Sequence, residues 1–270
     1  MRPLKTIVLL LVLSVSTTIQ AQGLVTKQAP LPCLNKTFSV VVHIVRDSFG
    51  LKNIAEEDIF TAMEQVNTYF EPICASFDIC ETNIIDNFQY DNVTDAKWVE
   101  MQTKYNRDNR INMYFVATPT EECGYADFGG VGILGSGGIM IGKGECMSAN
   151  NIAHELGHFF GLKNTYEDEV PELADRSNCE VAGDGFCDTP ADPHQFGDLV
   201  GWVDIDCHYI NEVRDANGQY YIPDVGNLMS AYYGTIIIEY VPVFVDCRCS
   251  FSYEQLKSMA DYYLEHKGMW

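Results

Sequence analysis

The 270-residue chain carries 38 acidic against 17 basic residues, a formal net charge of −21, and ten cysteines. Such a surface repels polyanions, which excludes nucleic acid and anionic membranes as partners. It suits an extracellular protein, including one that holds calcium on carboxylates, and it is equally explained by a need for solubility.

The first elements in chain order are those of export. Arg2 and Lys5 form a basic start, Ile7–Leu13 is an unbroken apolar run, and Ile19-Gln20-Ala21 fits a small-residue cleavage site. Residues 1–21 therefore read as a secretory signal peptide, with an apolar part too short to span a bilayer. Residues 22–37 form a short N-terminal segment, and 38–270 are long enough for one large domain or two lobes around a cleft. All ten cysteines lie after residue 21, and an even count behind an export signal predicts disulfides in an oxidising compartment. The expected location is extracellular, or periplasmic in a bacterial source. Their connectivity is not readable from one sequence.

FSVVVHIV (Phe38–Val45) reads as a buried strand. Asn53 with Glu56 three residues on resembles a capping box, after which Ile59, Phe60, Met63, Val66 and Phe70 recur at helical spacing. Further strands are expected at Phe77–Ile85 and Ile111–Ala117. The glycine-rich run Gly129–Gly144 lacks the Lys-Ser/Thr pair of a phosphate loop, and reads better as a glycine-punctuated edge strand beside a cleft. A helix capped at Asn150 or Asn151 should run to Gly161, and 164–193 is polar, acidic and irregular. Thr235–Val245 is apolar but interrupted by Glu239 and Pro242, so it predicts a buried hairpin or loop and not a membrane span. Ser252 and Gln255 open a last helix, Ser252–Lys267. Asn35-Lys36-Thr37 and Asn92-Val93-Thr94 are glycosylation sequons, meaningful only in a eukaryotic source.

The chemistry concentrates in residues 154–167, HELGHFFGLKNTYE. His154 and His158, one helical turn apart, can reach one ion, and zinc accepts imidazole nitrogen while leaving a position to water. Glu155 can then serve as general base toward that acidified water. Gly161 lets the chain turn sharply after the helix and swings position 164 back toward the metal.

Several stretches in order resemble the pappalysin or cytophagalysin branch of the metzincin zinc endopeptidases. FSVVVHIV and the helix after it are similar to that family's opening elements, and INMYFVA to its central strand. HELGHFFGLKNTYE is similar to its zinc helix, GDGFCDTPADP (Gly183–Pro193) to its DTPA loop, GNLMSAYY (Gly226–Tyr233) to its Met-turn, and CRCSFSYEQLKSM (Cys247–Met259) to its last helix. The resemblance implies an α+β fold of the metzincin type. Its parts are a twisted mixed sheet with a long zinc-binding active-site helix, a cleft between two lobes and an irregular disulfide-bonded C-terminal lobe. It also implies secretion, zinc, often structural calcium, and cleavage of a protein or peptide substrate. Residue by residue, His154 and His158 become zinc ligands, Glu155 the base and Met229 the apolar floor.

Two departures stand out. Asn164 occupies the third ligand position, normally histidine, and Ala231 stands where a tyrosine is common, with Tyr232 or Tyr233 as substitutes. Asn164 can ligate through its carboxamide oxygen, a weaker donor than imidazole. His194, His208, Glu167 and Asp188 are other candidates, each with a simpler reading as a loop histidine, a calcium carboxylate or a surface charge. Cys33 reads either as a thiolate that could sit on the zinc and hold a zymogen latent, or as half of a disulfide. The leading function is thus a secreted zinc endopeptidase. The alternatives are an inactive binding module of the same fold and a calcium-stabilised interaction protein centred on Asp184 and Asp188.

Overall fold

In strand β1 (Lys36–Val45) nearly every side chain is buried, the pattern of a strand covered on both faces. The computed structural model describes residues 28–119, 123–132, 137–166, 170–194, 201–238 and 241–269. The expected signal peptide lies outside them, as do Glu167 and Glu239. The described residues from Leu31 onward form one compact unit.

β1 pairs in parallel with β2 (Ala75–Ile85) on one side and β3 (Ile111–Val116) on the other. β5 (Gly138–Gly142) continues the parallel set, and the short β4 (Gly124–Ala126) closes it antiparallel at the edge, giving the order β2-β1-β3-β5-β4. Alternation along β3 assigns the two faces. Ile111, Met113 and Phe115 join the core under α1 (Glu56–Phe70) and α3 (Ala149–Phe159), while Tyr114 and Val116 meet Trp98 and Met101 of α2 (Asp95–Tyr105). The glycine-rich strand is thus β5, fully buried and second from the edge; the edge strand beside the site is β4.

Two local expectations change in α1. Ile59, Met63, Val66 and Phe70 are buried as their spacing requires, but Phe60 is 46% exposed because it sits about 100° off that stripe. The cap is Ala55, without a side-chain bond. Asn53 instead adopts φ +56° and donates its amide to Asp47 Oδ2 at 2.8 Å, which commits it to the preceding turn.

Beyond α3 the described residues are largely irregular until β6 (Tyr233–Ile238) and β7 (Val241–Asp246), which make a two-stranded sheet of their own. The hairpin is as expected, but it is not buried: Ile236, Ile237, Val243 and Phe244 are exposed. α4 (Tyr253–Glu265) opens with the expected reciprocal box, Ser252 accepting from Gln255 N while Gln255 Oε1 accepts from Ser252 N at 2.9 Å. No described helix is long and apolar enough to cross a membrane.

Eight cysteines form disulfides: Cys33–Cys74, Cys123–Cys146, Cys179–Cys187 and Cys207–Cys247. Cys80 and Cys249 are free and exposed. Cys33 is therefore consumed in pinning the segment before β1 to the turn before β2, which removes it as a latency thiolate. A closed loop of this size stabilises a fold by about 4 kcal/mol through the unfolded state.

Candidate metal centre and active site

Helix α3 starts two residues earlier than a cap at Asn150 would place it, because Ser148 is the cap and its Oγ accepts the N–H of Asn151 at 3.2 Å. Asn151 is inside the helix, and its amide donates to Cys146 O. Ile152, Leu156 and Phe159 bury one face against the sheet, which directs the facing histidines away from the core.

The helix ends in a Schellman motif. Leu162 N donates to Gly157 O and Gly161 N to His158 O, both at 2.9 Å, with Gly161 at φ +87°. This turn presents Leu162 O to His158 Nδ1 at 2.7 Å. His154 Nδ1 lies 2.7 Å from Leu228 O, one residue before Met229 in the Met-turn. A carbonyl oxygen only accepts, so each Nδ1 carries the proton and each Nε2 keeps its lone pair. Those two nitrogens face one another at 3.1 Å. Two lone pairs so close repel unless a cation lies between them. Two corners of a tetrahedron with arms of 2.0–2.1 Å stand about 3.3 Å apart, so the pair fits a zinc ion. Burial, then the charges of His158 and Arg248, hold the His154 pKa well below its usual range, which keeps its ring neutral and able to ligate.

The floor is locked from several directions. Asn227 Oδ1 accepts Met229 N at 2.9 Å, and its amide donates to Gln255 Oε1, the atom that also caps α4. Met229 is fully buried, its sulfur packed against Gly157. Thr165 N donates to Met229 O at 3.1 Å and its hydroxyl to Asp192 at 2.7 Å. Residue 164 thus returns beside the same turn whose Leu228 carbonyl holds His154, and it is partly buried there.

Glu155 is 7% exposed and lies against Gly124 of β4. The Cys123–Cys146 disulfide fixes that strand to the segment just before α3. Behind the helix, the buried guanidinium of Arg248 donates to Asp246, to Asn151 Oδ1 at 2.6 Å and to the Tyr233 hydroxyl at 2.9 Å, and its charge interacts with that of Glu155. Gly124 lies in no quoted motif, and Arg248, although inside CRCSFSYEQLKSM, carries no local sign of its role, since both act through contacts with distant residues.

The other candidates are placed elsewhere. Among the described residues no third His, Cys, Asp or Glu gathers with His154 and His158. His194 packs on Tyr166 and Tyr232, and exposed His208 pairs with Asp204 at 3.2 Å. Asp188 accepts from Ser252 Oγ and Glu254 N at the start of α4. Asp184 accepts from Phe186 N, Thr189 and Gln255, and burial raises its pKa to about 6. Tyr232 is fully buried and donates to Asp192 Oδ1 at 2.6 Å, whereas Tyr233 accepts from Arg248.

No family profile and no curated protein matches the chain. Among solved structures, mature mirolysin of Tannerella forsythia, in complex with a cleaved peptide, aligns over 86% of this chain and 95% of its own, with 12% identity and TM-score 0.57. Metalloproteinase-II of Bacteroides fragilis aligns over 53% of this chain and 47% of its own, with 15% identity and TM-score 0.34. With its five-stranded mixed sheet and its His-bearing helix α3, the chain has a metzincin-like fold, similar to that of mirolysin.

Proposed function

We propose that the protein is a secreted zinc endopeptidase of the pappalysin type, with His154 and His158 as ligands, Asn164 as the third and Glu155 as general base. The observation that carries this reading is the pair of Nε2 lone pairs converging at 3.1 Å beside a buried glutamate. Secretion is supported by the apolar N-terminal run and the disulfides. A peptide substrate is supported by the likeness in fold to mirolysin and by β4, whose open edge can accept an extended chain.

Zinc in that position supplies Lewis acidity and acidifies water. The Leu228 and Leu162 carbonyls orient the two rings, and Met229 keeps the floor dry. Glu155 takes a proton from the attacking water on a carboxylate oxygen. It returns that proton to the amide nitrogen as the C–N bond breaks, so one water is consumed and a carboxylate and an amine result. The carboxamide oxygen of Asn164 is neutral and a weaker donor than imidazole, so zinc is held less tightly than by three histidines.

The test is zinc affinity by chelator competition together with hydrolysis of a quenched fluorescent peptide. Asn164→His should tighten zinc at least tenfold, about 1.4 kcal/mol. Asn164→Ala should lose zinc, and Glu155→Gln should keep zinc and lose cleavage. Equal zinc affinity in all three position-164 proteins overturns the third ligand. Absence of zinc binding in every one leaves the inactive module as the reading.

A further inference from the structure

Beyond the histidines lies an aromatic ring that the chemistry of the site does not use. Phe128 is 54% exposed, and its ring centre stands 6.5 Å from that of His158. An exposed phenylalanine at a loop tip is ordinary, but this one is not on a loose tip. Asp127, just before it, is buried and accepts hydrogen bonds from Gly138 N at 2.9 Å, from the Gln102 amide, and more weakly from Trp98 Nε1 and Tyr125. Asp127 also exchanges backbone bonds with Gly138 and Gly130. On the far side, Tyr262 of α4 donates to Gly129 O at 2.8 Å. Gly129 adopts φ +66°, and a Cβ there would stand 2.5 Å from the Tyr262 hydroxyl, so the turn needs glycine to meet α4 at all. The backbone on both sides of Phe128 is fixed while its ring is left in solvent beside the histidine pair, with exposed Val131 three residues on.

We propose that Phe128, with Val131, forms an apolar subsite that selects substrates carrying an aliphatic or aromatic side chain close to the scissile bond. The inference rests on the peptidase reading for its reacting bond but not for the binding surface. The spacing limits where that side chain sits. An extended chain advances about 3.3 Å per residue, so 6.5 Å from His158 corresponds to a position within about two residues of the bond held there. Covering the open part of the ring removes apolar surface from water, which favours Leu, Met or Phe over Gly or Asp by about tenfold. The turn being already rigid, little ordering entropy opposes that gain.

The experiment compares the wild-type protein with Phe128→Lys, Phe128→Ala and Phe128→Leu, each loaded with zinc, by mapping cleavage sites in a mixed peptide library. The wild type should enrich apolar residues at one position within two of the cut. Phe128→Lys should lose that enrichment about tenfold and gain acidic residues there, and Phe128→Leu should retain it, with the change carried by KM and not by kcat. Identical cleavage profiles for wild type and Phe128→Lys overturn the inference while leaving the peptidase reading intact. If the wild type cleaves nothing, the peptidase reading falls, and binding of fluorescein-labelled octapeptides that differ only in Leu against Asp decides the subsite. A Leu preference abolished by Phe128→Lys sustains it, and equal Kd values for the two peptides overturn it.

Discussion

Gly124→Ala tests the role of Glu155 without touching it. A Cβ at position 124 would stand 2.5 Å from Glu155 Oε1 and 2.8 Å from both Cδ and Cγ. Ordinary contact begins near 3.5 Å, so either the carboxylate or the strand must give way by roughly 1 Å. The strand is the stiffer partner. Gly124 is paired with Ile141, and the neighbouring Cys123 is tied to Cys146. The glutamate side chain moves instead, at little cost to folding, because its far end is flexible. A displacement of 1 Å in a reacting group costs about 100-fold in rate, about 2.7 kcal/mol of transition-state stabilisation. The assay is kcat/KM on a quenched fluorescent peptide, with zinc content and Tm measured on the same samples. Activity should fall by about 100-fold while zinc stoichiometry and Tm hold. Activity within threefold of wild type would refute the reasoning. A joint collapse of Tm, zinc and activity would refute it differently, by showing that the strand had moved.

Gly157→Ala acts on the floor: its Cβ would overlap Met229 Sδ and stand 3.4 Å from the Phe251 ring. Overpacking there should cost about 1–3 kcal/mol and weaken zinc, because Met229 adjoins the Leu228 carbonyl that holds His154. Calorimetry with chelator competition checks it, and unchanged values in both would sink it. His43 predicts a pH dependence of stability. Burial lowers its pKa from 6.5 to about 4, against a partial offset from its bond to Asn112. The unfolded chain then binds more protons in that window, so stability is fully present above pH 6.5 and declines as pH falls toward 4, by about 3 kcal/mol in all. Urea titrations of wild type and His43→Gln across that range should show the dependence flattened in the variant, and parallel curves would contradict it.

What could be read from the sequence was whatever is encoded locally. The i,i+4 spacing of His154 and His158, the reciprocal cap at Ser252 and Gln255, and the strand at Ile111–Ala117 each lie within a few residues, and each was found in place. The errors arose where a long-range partner overrode a local preference. Asn53 carries a capping side chain but donates it to Asp47, and the run Thr235–Val245 is apolar enough for a core yet forms a separate two-stranded sheet whose apolar side chains are largely exposed. The orienting groups of the site were invisible for a further reason: they are backbone carbonyls. Leu228 O, 74 positions from His154, has no side-chain signature at all.

The same distinction bears on how much Gly161 and Gly124 say about function. Gly161 appeared to serve position 164, by turning the chain back to the metal. Its left-handed conformation also closes the helix and delivers the Leu162 carbonyl that orients His158, whatever residue follows at 164. Gly161 would therefore be required in a two-histidine site as much as in a three-ligand one, and its presence is no argument that Asn164 ligates. Gly124 differs. The three atoms that a Cβ at 124 would meet first all belong to Glu155, and only a shorter residue at 155 would remove that restriction. The space at Gly124 admits a side chain as long as Glu155 beside the histidine pair, so the glycine on the edge strand is tied to residue 155, whereas the glycine after the helix is tied to His158 through the Leu162 carbonyl.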